Sequence, residues 1–340
     1  MRLFQMVCLS SLFACAVEHK DPTPPGDGSG KGDGSGSDTT PPSITDTQCA
    51  GAPDVGPATG FRHTLSGLTA ELSPHHRGID LIAAEGDATQ TITGKIAYGP
   101  TDKDLEDEDV EVFACLGSQW QSLAVTRTDG DGRFALALTG TARLPTGMRD
   151  LYVSVTGDRT GAEFIGFVAP NGTPLVVSDI DGTLTASENA YPEALALGGD
   201  VAAQPGAAAA LQMLAAKHYS IIYISTRGDR FTQDTRDWFA AKSFPRGPMR
   251  LPPAIVTIPG ADTVEFKRSA IESLAAFEVA AGIGNRSTDI TAYSEAGLPM
   301  DRIFIKLPEF EGEIAAQLMA GLATGFQLYD DLRAQQLAAM

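Results

Sequence analysis

Two hydrophobic rhythms divide the chain. In the first, apolar and polar residues alternate in short runs: Thr91-Ile92-Thr93-Gly94-Lys95-Ile96, Val110-Glu111-Val112-Phe113-Ala114, Arg133-Phe134-Ala135-Leu136-Ala137-Leu138 and Leu151-Tyr152-Val153-Ser154-Val155. A period of two sends successive side chains to opposite faces of a strand, so these runs predict an all-β, immunoglobulin-like antiparallel sandwich over about residues 62–170. Asp129-Gly130-Asp131-Gly132, between two such runs, predicts a hairpin turn, because glycine accepts positive φ at little cost. From Thr173 the rhythm changes to continuous apolar runs separated by helical stretches. Leu175-Val176-Val177, Tyr219 to Ile224, Ala254 to Ile258, Val279 to Ile283 and Arg302 to Ile305 read as strands; helices run from Pro205 to about Lys217 and around Thr232 to Ala241. Strands without alternation are covered on both faces, which predicts an α/β domain with a parallel sheet over about residues 171–340. Ligands of such sheets gather at the carboxyl ends of the strands.

Neither rhythm is present ahead of the sandwich. Arg2 and the apolar stretch from Leu3 to Ala14 read as an export signal, and Leu12-Phe13-Ala14-Cys15 resembles the lipobox of bacterial lipoproteins over residues 1–15. Residues 16–61 read as a tether, rich in Pro, Gly and Ser, with glycine at every second position from Gly26 to Gly36. Together these predict a protein exported and lipid-anchored at a bacterial membrane. With Cys8 removed and Cys15 lipidated, Cys49 and Cys115 remain, as one disulfide or as two free thiols. Charge narrows the partners: 25 Lys plus Arg against 43 Asp plus Glu leave a formal net charge of −18, a field that repels nucleic acid. The six carboxylates from Asp102 to Asp109 read as a solvated loop, with weak calcium binding as the alternative. His63, His75 and His76 fit no common zinc spacing and read as exposed loop residues.

The most specific feature is Ser178-Asp179-Ile180-Asp181-Gly182-Thr183. Two carboxylates at i and i+2 of an extended segment face one side, directly after a buried strand, and Gly182 permits a sharp turn behind them. Asp179 and Asp181 can therefore face one reacting group.

This Asp-x-Asp-Gly-Thr motif resembles the haloacid dehalogenase superfamily, and further motifs follow in that family's order over about residues 173–308. Ser225 after the second strand, with Thr226 as an alternative donor, matches the motif that holds phosphoryl oxygens. Lys267 matches the cationic motif, and Gly284-Asn285-Arg286-Ser287-Thr288-Asp289 the metal motif. More narrowly, Ser178 to Thr185, Tyr223-Ile224-Ser225-Thr226-Arg227 and Gly284 to Pro299 resemble the lipin-type phosphatidate phosphatases and the related domain of phosphatidylinositol-transfer proteins. The resemblance implies a HAD-like Rossmannoid sheet and Mg²⁺ held by Asp179, Asp181 and either Asn285 or Asp289 or both. It further implies Asp179 as nucleophile, Asp181 as acid and base, and phosphoryl contacts from Thr183, Ser225, Thr226, Arg227 and Lys267. Arg227 and Arg286 read equally as phosphate ligands or as partners of surface carboxylates.

About 21 residues separate Thr183 from Pro205, and the stretch from Lys242 to Asp262 is equally short, so neither builds a separate cap. A capless site is open and suits a head group at a membrane. The expected substrate is therefore phosphatidic acid or a related lipid phosphate, met by peripheral membrane contact. The alternatives are a phosphatase of a non-lipid phosphate monoester and a non-catalytic phosphatidate-binding module. Approach to an anionic bilayer requires a locally basic face, for which Arg227, Arg230, Arg246, Arg250, Lys267 and Arg286 are the candidates.

Overall fold

A computed structural model describes residues 43–191, 199–253 and 260–340. The signal and Cys15, most of the tether, and the strand expected at Ala254 to Ile258 lie outside the described residues.

The sandwich comprises β1 (Asp46–Thr47), β2 (Arg77–Ile79), β3 (Leu81–Ala84), β4 (Thr89–Lys95), β5 (Ala97–Tyr98), β6 (Lys103–Asp104), β7 (Asp109–Leu116), β8 (Gln119–Arg127), β9 (Arg133–Thr139), β10 (Gly147–Val155) and β11 (Gly161–Ala169), with a short helix α1 (Thr64–Thr69) ahead of β2. One sheet runs β3-β11-β10-β7-β8, with β1 beside β10; the facing sheet runs β2-β4-β9, and β5 pairs with β6. The alternation read in the sequence is the burial pattern of β4: Gln90, Ile92 and Gly94 point inward while Thr89 and Thr91 are exposed. Ile92, Phe134, Val112, Leu151, Val153 and Phe164 fill the space between the sheets. At about 1.5–3 kcal/mol for each large apolar side chain buried, this layer is what holds the sheets together.

Several expectations are corrected here. Asp129 to Gly132 joins β8 to β9, which belong to different sheets, so it is a corner and not a hairpin; the Asp129 carboxylate accepts the main-chain N–H groups of Asp131 and Arg133. The end of the presumed tether is part of the sandwich, since β1 pairs in parallel with β10 and Cys49 is disulfide-bonded to Cys115. The acidic run is not simply a solvated loop. Glu108 is 1% exposed and accepts the N–H groups of Arg62 and His63, and Asp102 is held by Arg77 and His75. His76 is buried, stacked edge-on to Tyr98 and bonded to Thr160.

The α/β domain comprises β12 (Pro174–Ser178), α2 (Ala207–Ala216), β13 (Ser220–Ile224), α3 (Thr232–Ala241), β14 (Met249–Arg250), α4 (Ala261–Glu272), β15 (Glu278–Gly284), α5 (Ser287–Glu295), β16 (Ile303–Lys306), α6 (Glu311–Met319), β17 (Thr324–Phe326) and α7 (Tyr329–Gln335). All six strands are parallel, in the order β14-β13-β12-β15-β16-β17. The chain winds outward from β12 in one direction and from β15 in the other, so the crevice between the ends of β12 and β15 is the topological switch point, where such folds bind ligands. β17 was not read from the sequence, and β14 lies at Met249–Arg250, just ahead of the apolar run that was.

Two apolar layers cover the sheet. On one face Leu211, Leu214 and Trp238 pack over Val176 and Tyr223; on the other Ile271, Ile290 and Tyr293 pack over Val177 and Ile222. Phe167 and Ala169 of the sandwich belong to this second layer, with the Phe167 ring 6.1 Å from that of Phe277.

Candidate active site

The main chain of Asp179 leaves β12 bonded to its neighbour, its N–H donating to the carbonyl of Ile283 at 2.9 Å, so the loops after β12 and β15 open side by side. Gly182 has φ +68°, and a Cβ there would lie 2.0 Å from Asn285 Nδ2. Glycine is thus required twice, for its backbone conformation and for the close approach of Asn285.

Around Asp179 four of the expected residues converge. Lys267 Nζ donates to Asp179 Oδ1 at 2.7 Å and to Asp289 Oδ1 at 2.5 Å. The second oxygen of Asp289 accepts the main-chain N–H groups of Asn285 and Arg286 at 2.9 and 3.0 Å, fixing the first turn of α5. The Thr183 hydroxyl lies 3.1 Å from Asp179 Oδ2 and 3.2 Å from Asn285 Oδ1. It has one proton for two acceptors, so the hydroxyl cannot satisfy both of the oxygens that face it. Asn285 is turned this way by Glu188, whose Oε2 accepts from its Nδ2 at 2.9 Å.

All of these groups except Glu188 are buried, which sets their charge states. Burial pushes the Asp179 carboxyl up to about 8; Lys267 opposes this, while the carboxylates of Asp289, Glu188 and Asp181 add to it. Burial also works against the Lys267 ammonium, but Asp179 and Asp289 outweigh it and hold the group above the ordinary lysine range.

Asp181 belongs to a second cluster. Its Oδ2 accepts from Ser225 Oγ at 2.9 Å and from Arg227 Nε at 3.1 Å, and its Oδ1 from Arg227 Nη2 at 2.5 Å. The guanidinium also donates to Thr235 Oγ1 at 3.0 Å and lies 4.0 Å from the centre of the Tyr191 ring. Thr226 is half-buried beside this fork. Glu188, Tyr191 and Thr235 were not read from the sequence; Glu188 stands 97 positions from Asn285, and no spacing rule joins them.

The expected basic face takes another form. Arg286 pairs with Glu313 at 2.9 Å and stacks on Phe310, Arg246 pairs with Asp46 and Asp150, Arg250 donates to the main-chain oxygen of Asp80, and Arg230 to that of Pro100. In a chain of net charge −18 these cations meet internal oxygens instead of forming an open patch.

The oxygens of Asp179, Thr183 and Asn285 are hard donors of the kind Mg²⁺ accepts. Among the described residues no three His, Cys, Asp or Glu side chains gather as a metal cluster, so this set, one carboxylate with an amide and a hydroxyl, is the donor group the site offers.

Both domains match family models. Residues 74–168 match the beta-sandwich domain of PITM 1-3, and residues 176–306 match the LNS2 domain of PITM 1-3, a HAD-like, lipin-type fold. Human membrane-associated phosphatidylinositol transfer protein 3 is 30% identical over 238 residues, 69% of this chain and 24% of that protein. Protein retinal degeneration B of Drosophila melanogaster is 28% identical over 238 residues, 69% of this chain and 18% of that protein. The chain thus spans about a quarter or less of the length of these relatives. Among solved structures, a putative beta-phosphoglucomutase from Thermotoga maritima aligns with a TM-score of 0.36 at 15% identity, covering 49% of this chain and all of that one. Of the two groups in the narrower resemblance, the phosphatidylinositol-transfer proteins are the one these matches bear out, and not the lipin phosphatases specifically. Both are animal proteins, the human one named as membrane-associated, and this overturns the expectation of an exported, lipid-anchored bacterial protein. Among the described residues no helix is long and apolar enough to cross a membrane.

Proposed function

We propose, starting from an α/β domain of the LNS2 type behind its sandwich, that the chain is a Mg²⁺-dependent phosphatase of a lipid phosphate monoester, phosphatidic acid or a close relative. The observation that carries this reading is the group of three hard oxygen donors at the switch point, Asp179 Oδ2, Thr183 Oγ1 and Asn285 Oδ1, backed by Lys267. Such a spot attracts a hard cation on one side and leaves a carboxylate oxygen to attack on the other.

In this reading Asp179 and Asn285 hold the ion. Asp289 is used up by Lys267 and two main-chain N–H groups, and Asp181 has only its main-chain carbonyl to offer, because Arg227 and Ser225 take its side chain. An ion held by these residues would lessen the repulsion between a phosphoryl dianion and the Asp179 carboxylate. Asp179 then attacks phosphorus, forming an aspartyl-phosphate as the bond to the leaving oxygen breaks, and Asp181 gives that oxygen its proton. In the second step Asp181 takes a proton from water, whose oxygen attacks the phosphorus and returns Asp179 as a carboxylate. Lys267, Thr183, Ser225 and Thr226 stabilise charge on the transferring group, and Arg227 keeps Asp181 aimed at the leaving oxygen.

A second reading is a phosphatidate-binding module without turnover. It is favoured by the Arg227 fork, which occupies both oxygens of the residue that must move protons, and by the transfer-protein names of the relatives. Phosphate release decides between them. We expect phosphatidate in mixed micelles to be hydrolysed with kcat/KM at least ~10-fold above a soluble sugar phosphate, about 1.4 kcal/mol, with activity lost in EDTA and restored by Mg²⁺. Preference for the sugar phosphate would make this a phosphatase of a non-lipid ester; phosphatidate binding with no release from any ester would establish the binding module.

A further inference from the structure

The sandwich reaches into the α/β domain with one buried side chain. Arg77, at the start of β2, is 4% exposed; its Nη1 and Nη2 donate to both oxygens of Asp102 at 2.8 and 2.7 Å, and its Nε donates to Asp229 Oδ1 at 2.9 Å. Asp229 lies two residues after Arg227 and directly after Gly228, whose φ of 27° and ψ of 144° mark a sharp bend. Further contacts from the sandwich fall on the same segment. Arg230 Nη2 donates to the carbonyl of Pro100 at 3.0 Å, and Arg236 Nη2 donates to the buried Asp80 at 2.8 Å, one residue beyond the Thr235 hydroxyl that receives Arg227. Residues 225–236 are therefore gripped at 229, 230 and 236 by the sandwich, and what they deliver between those points is Arg227 on Asp181.

We propose that Arg77 is a positioning residue for the Asp181 half of the site: through Asp229 it fixes the bend that sets the Arg227 fork, and so the aim of the proton-moving carboxylate. This rests on the proposed phosphatase reading. A planar guanidinium suits the task, because its three nitrogens hold two carboxylates in fixed directions, which an ammonium cannot do. Asp179, by contrast, is held by Lys267 and Thr183 and receives nothing from the sandwich.

The inference separates aim from stability. If Arg77 acts through Asp181, its loss harms substrates whose leaving oxygen needs a proton and spares those whose leaving group departs as an anion. For Arg77→Met we expect kcat on phosphatidate to fall at least ~10-fold more than kcat on p-nitrophenyl phosphate, with KM for both within about twofold of the unchanged protein. Arg159→Met removes an ion pair with Glu111 that stays within the sandwich, and controls for loss of stability by lowering both rates alike or not at all. Where Arg77→Met does not fold, Arg77→Lys, which keeps one cation between the two carboxylates but not the fork, is read in the same way. Hydrogen exchange supplies a readout independent of turnover: the amides of Gly228, Asp229 and Phe231 should exchange at least ~10-fold faster in the variant, with those of β15 unchanged. Equal losses on the two esters, or unchanged exchange at 228–231, would overturn the proposal. If the unchanged protein releases no phosphate from either ester, the phosphatase reading fails, and the exchange comparison alone decides whether Arg77 holds the segment.

Discussion

Lys267 and Arg77 are both buried cations held between two carboxylates, and the two clusters are built to opposite ends. Arg77 sits between Asp102 and Asp229, and two more cations flank the pair, Lys95 3.9 Å from Asp102 and Arg133 3.8 Å from Asp229, while the His75 ring lies 2.8 Å from Asp102. Burial works against the Asp102 charge, yet His75 and Arg77 outweigh it and hold that carboxyl well below the usual range. Lys267 sits between Asp179 and Asp289; burial pushes Asp179 up to about 8 against the pull of Lys267, and the carboxylates of Asp289, Glu188 and Asp181 add to the rise. One cluster is closed on itself; the other is short of positive charge. Burial and pairing alone do not mark a functional site. The mark is the sign of what is left over, and here the surplus negative charge lies at the switch point of the sheet.

The strongest way to break this comparison is Asp179→Asn. Turnover should fall by at least ~10⁴-fold while urea unfolding stays near that of the unchanged protein, because the amide keeps the shape and removes a buried charge. Substantial phosphate release by this variant would end the nucleophile assignment. Next come Lys267→Met and Arg77→Met. Each leaves two buried carboxylates without their central cation, a loss of about 3–5 kcal/mol on breaking a buried pair. Because spare cations flank Asp102 and Asp229 but not Asp179 and Asp289, denaturant midpoints should show Lys267→Met as the more damaging of the two. Mg²⁺ added to Lys267→Met should restore part of the lost stability, and none in Arg77→Met.

A finer test removes the group that turns Asn285. Glu188→Gln leaves a side chain of the same size but no charge, and should weaken Mg²⁺ affinity about 10- to 100-fold, measured by activation curves, without moving the thermal midpoint of the chelated protein. A last test concerns pH. Burial pushes His76, beside Arg77, down to about 4, with His75 and Arg77 adding to this and Asp158 opposing. The unfolded chain binds the proton at 6.5 and the folded one only near 4. Stability is therefore full above pH 6.5 and declines as pH falls toward 4, by less than one proton per molecule. His76→Phe should flatten unfolding free energies across that window; an unchanged slope would assign it to other groups.

How far each cluster could be read in advance follows the same division. Asp179 and Asp181 stand directly after an apolar strand, where the i, i+2 geometry and the strand's end give their position, while Thr183, Asn285 and Lys267, the last within α4, are reached through the order of the family's motifs. Arg77 and Asp229 are 152 residues apart and in different domains, and no local pattern pairs them. Sandwich strands with regular alternation, such as β4, were legible, whereas β8 is exposed or half-buried along its whole length and β11 turns from exposed to wholly buried midway, so neither shows a period of two. β17 has three residues, too few for any period to appear. The acidic run around Asp102 looked solvated because composition records charge and not the distant arginine that meets it.

Phe167 and Ala169 lie in the sandwich by sequence and in the sheet's apolar layer by packing, and only four residues separate β11 from β12. The inheritance of the two modules follows from this. A recombination break between them would strip an aromatic ring from the face of the sheet and at the same stroke remove Arg77 from Asp229. The pair is thus a single unit of exchange, and a gene carrying the α/β half alone would encode a protein with an uncovered face and an unheld loop.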